Sequence, residues 1–110
     1  MGEDWLSLKL QALADPTRRA ILARLKLGET SVNELARPFA MSLPAISKHL
    51  KVLTAAGLIT QGRNAQSRPC KLSEGGLNDV ATWMQNYHEM WEQRLDRLET
   101  YLQNLKETEK

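Results

Sequence analysis

The chain has 110 residues, 42% of them hydrophobic and 25% charged, with a net charge of +2 and a single cysteine. That is one domain's worth of protein, 1–110, with apolar residues for a modest core, and the balance excludes a disordered chain. No apolar run approaches the ~18 residues of a membrane span, Met1-Gly-Glu-Asp lacks the basic stretch of a signal peptide, and one thiol excludes an intrachain disulfide framework, so a cytoplasmic location without membrane contact is expected.

The charge is unevenly placed. Residues 1–34 carry five cations and five acids, residues 74–110 carry four cations and eight acids, and residues 35–73 carry six cations and no acid. An acid-free basic middle is what a polyanion-binding surface requires.

Taken in chain order, Asp4 is placed to cap a first helix whose apolar residues Trp5, Leu6, Leu8, Leu10 and Leu13 follow no clean period, as when two sides are covered. Asp15-Pro16 restarts the chain, because proline drives the preceding residue out of the helical region and itself suits the first helical position. The second helix turns Ile21, Leu22 and Leu25 inward and is predicted to stop at Gly28 in a left-handed cap. Ser31-Val-Asn-Glu34 fits a capping box, with reciprocal serine and glutamate bonds, opening a third helix kept short by Pro38. A fourth helix opens at Ser42, holds Pro44 in its first turn and ends at Gly57.

Leu58 to Gly62 and Pro69 to Leu72 read as short strands joined by the polar turn Arg63-Asn-Ala-Gln-Ser-Arg68, with Pro69 suited only to an edge strand. Beyond Gly75-Gly76, Leu77, Met84, Trp91, Leu98 and Leu105 recur every seven residues; Val80, Tyr87 and Tyr101 fall between them, and Leu95 repairs the stripe that Arg94 breaks. A helix of roughly 30 residues runs about 45 Å, longer than this domain's own core needs, so a second copy is expected against it. The fold class is therefore mainly α, five helices with a small β-hairpin and a long C-terminal helix.

On a wheel at about 100° per residue, Leu43, Ile46, Leu50 and Leu53 fall on one side of the fourth helix, where a core would sit. The opposite side shows Pro44, Ser47, Lys48 and Lys51. Short residues let a helix axis approach base edges in a major groove about 12 Å wide, and an ammonium neutralises phosphates or donates to guanine O6 and N7. Taken alone, Lys48 and Lys51 read better as a solvated face. The combination favours DNA: cations on the second helix of a helix-turn-helix, then a hairpin tipped by Arg63 and Arg68 that suits the backbone or a narrow minor groove. Ser42, Arg63 and Arg68 are assigned to backbone positioning.

These residues also carry a family resemblance. Leu13-Ala-Asp-Pro-Thr-Arg18 before Ile21-Leu22, then Ser31-Val-x-Glu-Leu-Ala36, then Ser47-x-His-Leu-x-x-Leu-x-x-Ala-Gly-Leu58 resemble the ArsR/SmtB family of winged helix-turn-helix regulators over roughly residues 5–80. Arg68-Pro-Cys-Lys-Leu72, Trp83, Tyr87, Trp91 and Arg94-Leu-Asp-Arg-Leu98 resemble one subgroup. The resemblance implies a homodimer built from the first and last helices, the fourth helix in the major groove and the hairpin as wing. It divides the chain into a helix-turn-helix and wing, 5–73, and a dimerisation helix, 74–106. The expected dimer residues are Trp5, Trp83, Tyr87, Trp91, Leu95, Leu98 and Leu102.

The metal sites of that family do not carry over. Ala36 and Pro38 stand where its thiolate pair would be, and the last helix offers only His88 with Glu89 and Glu92 nearby, short of the three or four ligands zinc takes. No metal ligands and no cofactor are assigned. His49, beside the buried arc, is expected to bond a neighbouring backbone group or a phosphate. Cys70, with Arg68 and Lys71 near it in sequence, has the neighbours of a low-pKa thiol but no resolving partner, and a packed thiol is the preferred reading.

No glycine-rich phosphate loop, activated nucleophile or carboxylate pair suggests an enzyme, and no catalytic residue is assigned. Trp83, Tyr87, Met90 and Trp91 read as interface core before they read as a ligand pocket. The expected function is a sequence-specific, homodimeric, metal-independent DNA-binding autorepressor acting on an imperfect palindrome in double-stranded DNA. An organic effector and none at all are equally open, and the alternative is a winged-helix interaction or dimerisation module without specific DNA binding.

Overall fold

A computed structural model describes residues 4–62 and 69–108. The order is α1 (Trp5–Leu13), α2 (Pro16–Leu25), α3 (Val32–Ala36), a 3-10 turn (Arg37–Phe39), α4 (Leu43–Ala55), β1 (Ile59–Gln61), β2 (Cys70–Leu72) and α5 (Asn78–Thr108). This is the winged helix-turn-helix order of five helices and a two-stranded hairpin expected from the sequence. The described residues fall into two compact units that divide between Leu77 and Asn78.

The helix starts follow local chemistry. Asp4 accepts from the backbone N–H of Leu6 and Ser7, Asp15 from that of Arg18, Ser31 from Glu34 and Ser42 from Ala45. The capping box at Ser31 is half made: the hydroxyl accepts from Glu34 N at 3.2 Å, but the Glu34 carboxylate pairs with exposed Arg37 at 3.4 Å instead of turning back.

Two helix ends differ in kind. At α4, Leu58 N donates to Leu53 O and Gly57 N to Thr54 O, with Gly57 at φ +78°, which is a Schellman close. The end of α2 falls earlier than the glycine rule placed it. The helix stops at Leu25, and Gly28, at φ +139°, lies beyond a further turn in which its N–H donates to Leu25 O. The reversal between α3 and α4 is made at Ala40, a non-glycine residue with φ +51°.

β1 and β2 pair antiparallel in the register Ile59↔Leu72, Thr60↔Lys71 and Gln61↔Cys70. Cys70 is also bridged on its other side by Thr30, whose N–H donates to Cys70 O at 3.0 Å and whose carbonyl accepts from Cys70 N at 2.7 Å. The second strand is therefore inner at Cys70. Pro69 escapes the cost of a missing donor because it stands just outside the strand, where its carbonyl accepts from Gly62 N.

The core of the first unit is a single apolar cluster in which Ile21, Leu35, Ile46, Leu50, Leu53, Leu58, Ile59 and Cys70 are almost fully enclosed. It holds α4 by one face against α1, α2, α3 and β1. Side chains packed to crystal-like density transmit any shift, so this cluster makes α4 a rigid platform.

α5 is a 31-residue helix. Met84, Tyr87, Trp91, Leu95, Leu98, Tyr101, Leu102 and Leu105 are each roughly half exposed along it.

Candidate nucleic-acid interface

α3, the reversal at Ala40 and α4 form the helix-turn-helix, and α4 combines a buried row with an exposed polar face. Ile46, Leu50 and Leu53 are enclosed, while Ser42, Pro44, Lys48 and Lys51 are exposed and Ser47 is half-buried. The wheel reading thus holds for three of its four inward residues. Leu43, counted as core, is 48% exposed. It occupies the first helical position, where the backbone has only begun to turn toward the core.

The positions of Pro44, Ser47, Lys48 and Lys51 place small groups at the start of the exposed face and cations farther along it. Ser42 is occupied with its own helix, its Oγ accepting from Ala45 N at 3.3 Å. Lys71 extends the cationic surface on the outward face of the hairpin opposite Thr60. Arg63 and Arg68, assigned to the wing tip, lie outside the described residues.

Arg18 and His49 join this site to the rest of the first unit, and neither contact was foreseen. Arg18 Nε donates to Ala12 O at 2.8 Å and Nη2 to Gln11 O at 2.9 Å, while Nη1 stands 3.3 Å from His49 Nδ1. His49 therefore bonds a side chain of α2, not a backbone group. The motif Asp15-Pro-Thr-Arg18 had marked the residue without revealing its partner, which lies 31 positions away.

The Cys70 thiol is buried, and that burial raises its pKa; the neighbouring charge of Glu29 adds to this, against a weak bond from Gln61 Nε2 at 3.6 Å. This is a packed thiol rather than an activated one. His88 Nε2 lies 3.7 Å from Glu92 Oε1 on an exposed turn of α5. Among the described residues no group of three or more His, Cys, Asp or Glu could hold a metal ion.

Of the residues assigned to the dimer, Trp5 lies exposed on α1, and the others follow one another along α5. Trp83 and Tyr87 stack with ring centroids 5.1 Å apart, Tyr87 meets Trp91 edge-on at 6.0 Å, and the Arg94 guanidinium sits 5.6 Å from the Trp91 ring.

A family model described as a helix-turn-helix domain matches residues 13–62. The transcriptional repressor SdpR of Bacillus subtilis is 39% identical over 77 residues, which cover 70% of this chain and 86% of that protein. The crystal structure of an ArsR family transcriptional regulator matches at 40% identity and a TM-score of 0.76, over 81% of this chain and 98% of that one. The chain belongs to the ArsR family.

This ArsR-family regulator is also similar to a homodimeric winged helix-turn-helix DNA-binding domain from Mycobacterium bovis, at 26% identity and a TM-score of 0.64, over 82% of this chain and 84% of that one. The family consists of DNA-binding transcriptional regulators, and the motifs from Leu13 to Leu58 that carried the resemblance lie within the matched residues 13–62.

Proposed function

We propose that the protein is a homodimeric repressor that binds an imperfect palindrome in double-stranded DNA, including its own promoter, without needing a metal. The observation that carries this reading is the division of α4 into a fully enclosed row, Ile46, Leu50 and Leu53, and an exposed face of Pro44, Lys48 and Lys51. A helix fixed rigidly by one face and presenting short residues and cations on the other suits a major groove. Pro44, Ser47, Lys48 and Lys51 face the bases; Ser42, Arg63 and Arg68 position the backbone.

The dimer reading is supported by the row of half-exposed apolar side chains on α5, since monomeric proteins rarely leave so long an apolar stripe in water. Two α4 helices related by a two-fold axis would meet successive major grooves about 34 Å apart. Repression is drawn from the relative named above as a repressor. Metal independence is supported by Ala36 and Pro38, side chains without donor atoms, where the family's thiolates would stand.

The test is selection of bound duplexes from a randomised DNA pool, with chelator present, at two salt concentrations. An enriched palindrome with half-sites one helical turn apart supports the reading and supplies the operator. Weak, salt-sensitive retention with no motif means phosphate contacts alone, and would favour an interaction module instead.

A further inference from the structure

Arg18 stands at the junction of three helices. Its side chain holds the two carbonyls Gln11 O and Ala12 O at the end of α1, it belongs to α2, and its third arm reaches His49 of α4 at 3.3 Å. Asp15, which caps α2 by accepting from Arg18 N at 3.0 Å, places Oδ2 3.9 Å from the same ring nitrogen, Nδ1. The His49 side chain is only 19% exposed.

The protonation of the ring follows from its partner. A guanidinium has five donors, no acceptor and no accessible neutral form, so a bond from Nη1 to Nδ1 requires a lone pair on Nδ1 and the ring proton on Nε2. The Asp15 carboxylate asks the reverse, a proton on Nδ1. The nearer Arg18 suits a bare Nδ1, and a proton there inverts the preference: Nδ1–H is then attracted to Asp15 and repelled by Arg18. Among the described residues, Arg18 and Asp15 are the charged side chains in contact with the ring; what α1 brings to the cluster is the pair of carbonyls that Arg18 holds.

The apolar row of α4 packs into the core by one face. Ile46, Leu50 and Leu53 are aliphatic, and their contacts carry no direction. His49 lies to one side of that row, about 60° around the helix, and makes the directional contact that a turning helix would break.

We propose that Arg18 and His49 are positioning residues for DNA binding: the Arg18–His49 contact fixes the rotation of α4 against α1 and α2 and so aims Lys48 and Lys51. The inference rests on the DNA-reading role of α4 given above. Neutral His49 holds the aim, and a protonated ring releases it.

The test compares wild type with His49→Asn, His49→Leu, Arg18→Lys and His88→Gln, each shown to be folded by circular dichroism. Affinity is measured for the duplex recovered by the selection above and for a scrambled duplex, from about pH 8 to about pH 5.5, either side of the ordinary value of a free imidazole. The wild-type preference for the operator should fall roughly tenfold toward the acid end, the order expected for one charge-assisted hydrogen bond. His49→Asn, whose amide oxygen replaces Nδ1 and does not titrate, should keep the preference across the range. His49→Leu and Arg18→Lys should be low throughout, and His88→Gln should follow wild type.

A preference that is flat in wild type or rises toward acid, as it would if His49 served as a cation on phosphate, overturns the proposal. So does a His49→Leu variant that matches wild type. The imidazole 15N spectrum of the DNA-free protein reads the contact separately: a bare Nδ1 that changes in Arg18→Lys supports it, and a neutral ring protonated on Nδ1 overturns it. A wild-type protein that selects no operator removes the DNA reading of α4 and the positioning role together, whatever the spectrum shows of the contact.

Discussion

Gly76 stands against the carbonyl oxygen of Gly57: a Cβ on Gly76 would lie 2.5 Å from that oxygen and 3.3 Å from Leu58 Cα. The same residue's own carbonyl accepts from Lys9 Nζ at 2.6 Å. The turn after β2, the end of α4 and α1 thus meet at one point, where backbone touches backbone. Gly76→Ala is expected to lower stability by about 1–3 kcal/mol through overpacking, read as a lower denaturation midpoint in urea. Unchanged stability would mean that the turn is free to move away.

For base reading by α4, Lys48→Ala is the direct probe. It should weaken operator binding and relax discrimination at one base pair by about 1–3 kcal/mol. The measurement is affinity for a set of single-base operator variants. Equal loss on every sequence would assign Lys48 to phosphate, and no loss would remove it from the interface.

The α5 stripe leads to an assembly prediction. Leu98→Glu places a charge in a row that two copies would bury together, and Leu98 is half exposed in the single chain, so the fold should survive. Sedimentation equilibrium should give the mass of two chains for wild type and one for the variant. A dimeric Leu98→Glu would move the interface elsewhere.

Asp15 ties acid stability to a helix start. Its carboxyl is held below its ordinary value of 3.8, chiefly by the backbone N–H of Arg18, with His49 and Arg18 charges adding to this against a desolvation penalty. A depressed folded-state value means a contribution present in full above the ordinary value and lost as pH falls below it. Asp15→Asn retains the cap but does not titrate, so its stability should fall less steeply than wild type below about pH 4. Parallel acid limbs in the two unfolding curves would show that Asp15 does not supply that dependence.

Cys70 is enclosed and its pKa is raised by burial, so a thiol reagent should label it slowly in the folded protein and rapidly in urea. Equal rates in the two states would mean that the strand around it opens easily.

The helix starts and the α4 close were legible because their chemistry spans a few residues. Asp4, Asp15, Ser31 and Ser42 each accept from an N–H two or three positions onward, and Gly57 closes α4 within six. Where a local rule met competition it gave way, as at Glu34, whose carboxylate took Arg37 one turn later instead of completing the box. The exposed face of α4 was legible for a similar reason, since a period of 3.6 sorts Ile46, Leu50 and Leu53 from Lys48 and Lys51 wherever a core lies on one side. The same period misplaced Leu43, because at a helix's first residue burial depends on what lies beyond its end.

The sequence by itself determined the element order, the helix N-caps, the charge division and the family, all of which rest on short-range spacing or on residue types in register. The tertiary structure decided which distant groups share a bond: Thr30 with Cys70, Lys9 with Gly76, and Arg18 with His49. Such pairs join residues tens of positions apart, and their distances are fixed only once the apolar cluster has packed. The physical reason is that a hydrogen bond is directional over about 3 Å, whereas the hydrophobic burial that brings its partners together has no direction of its own.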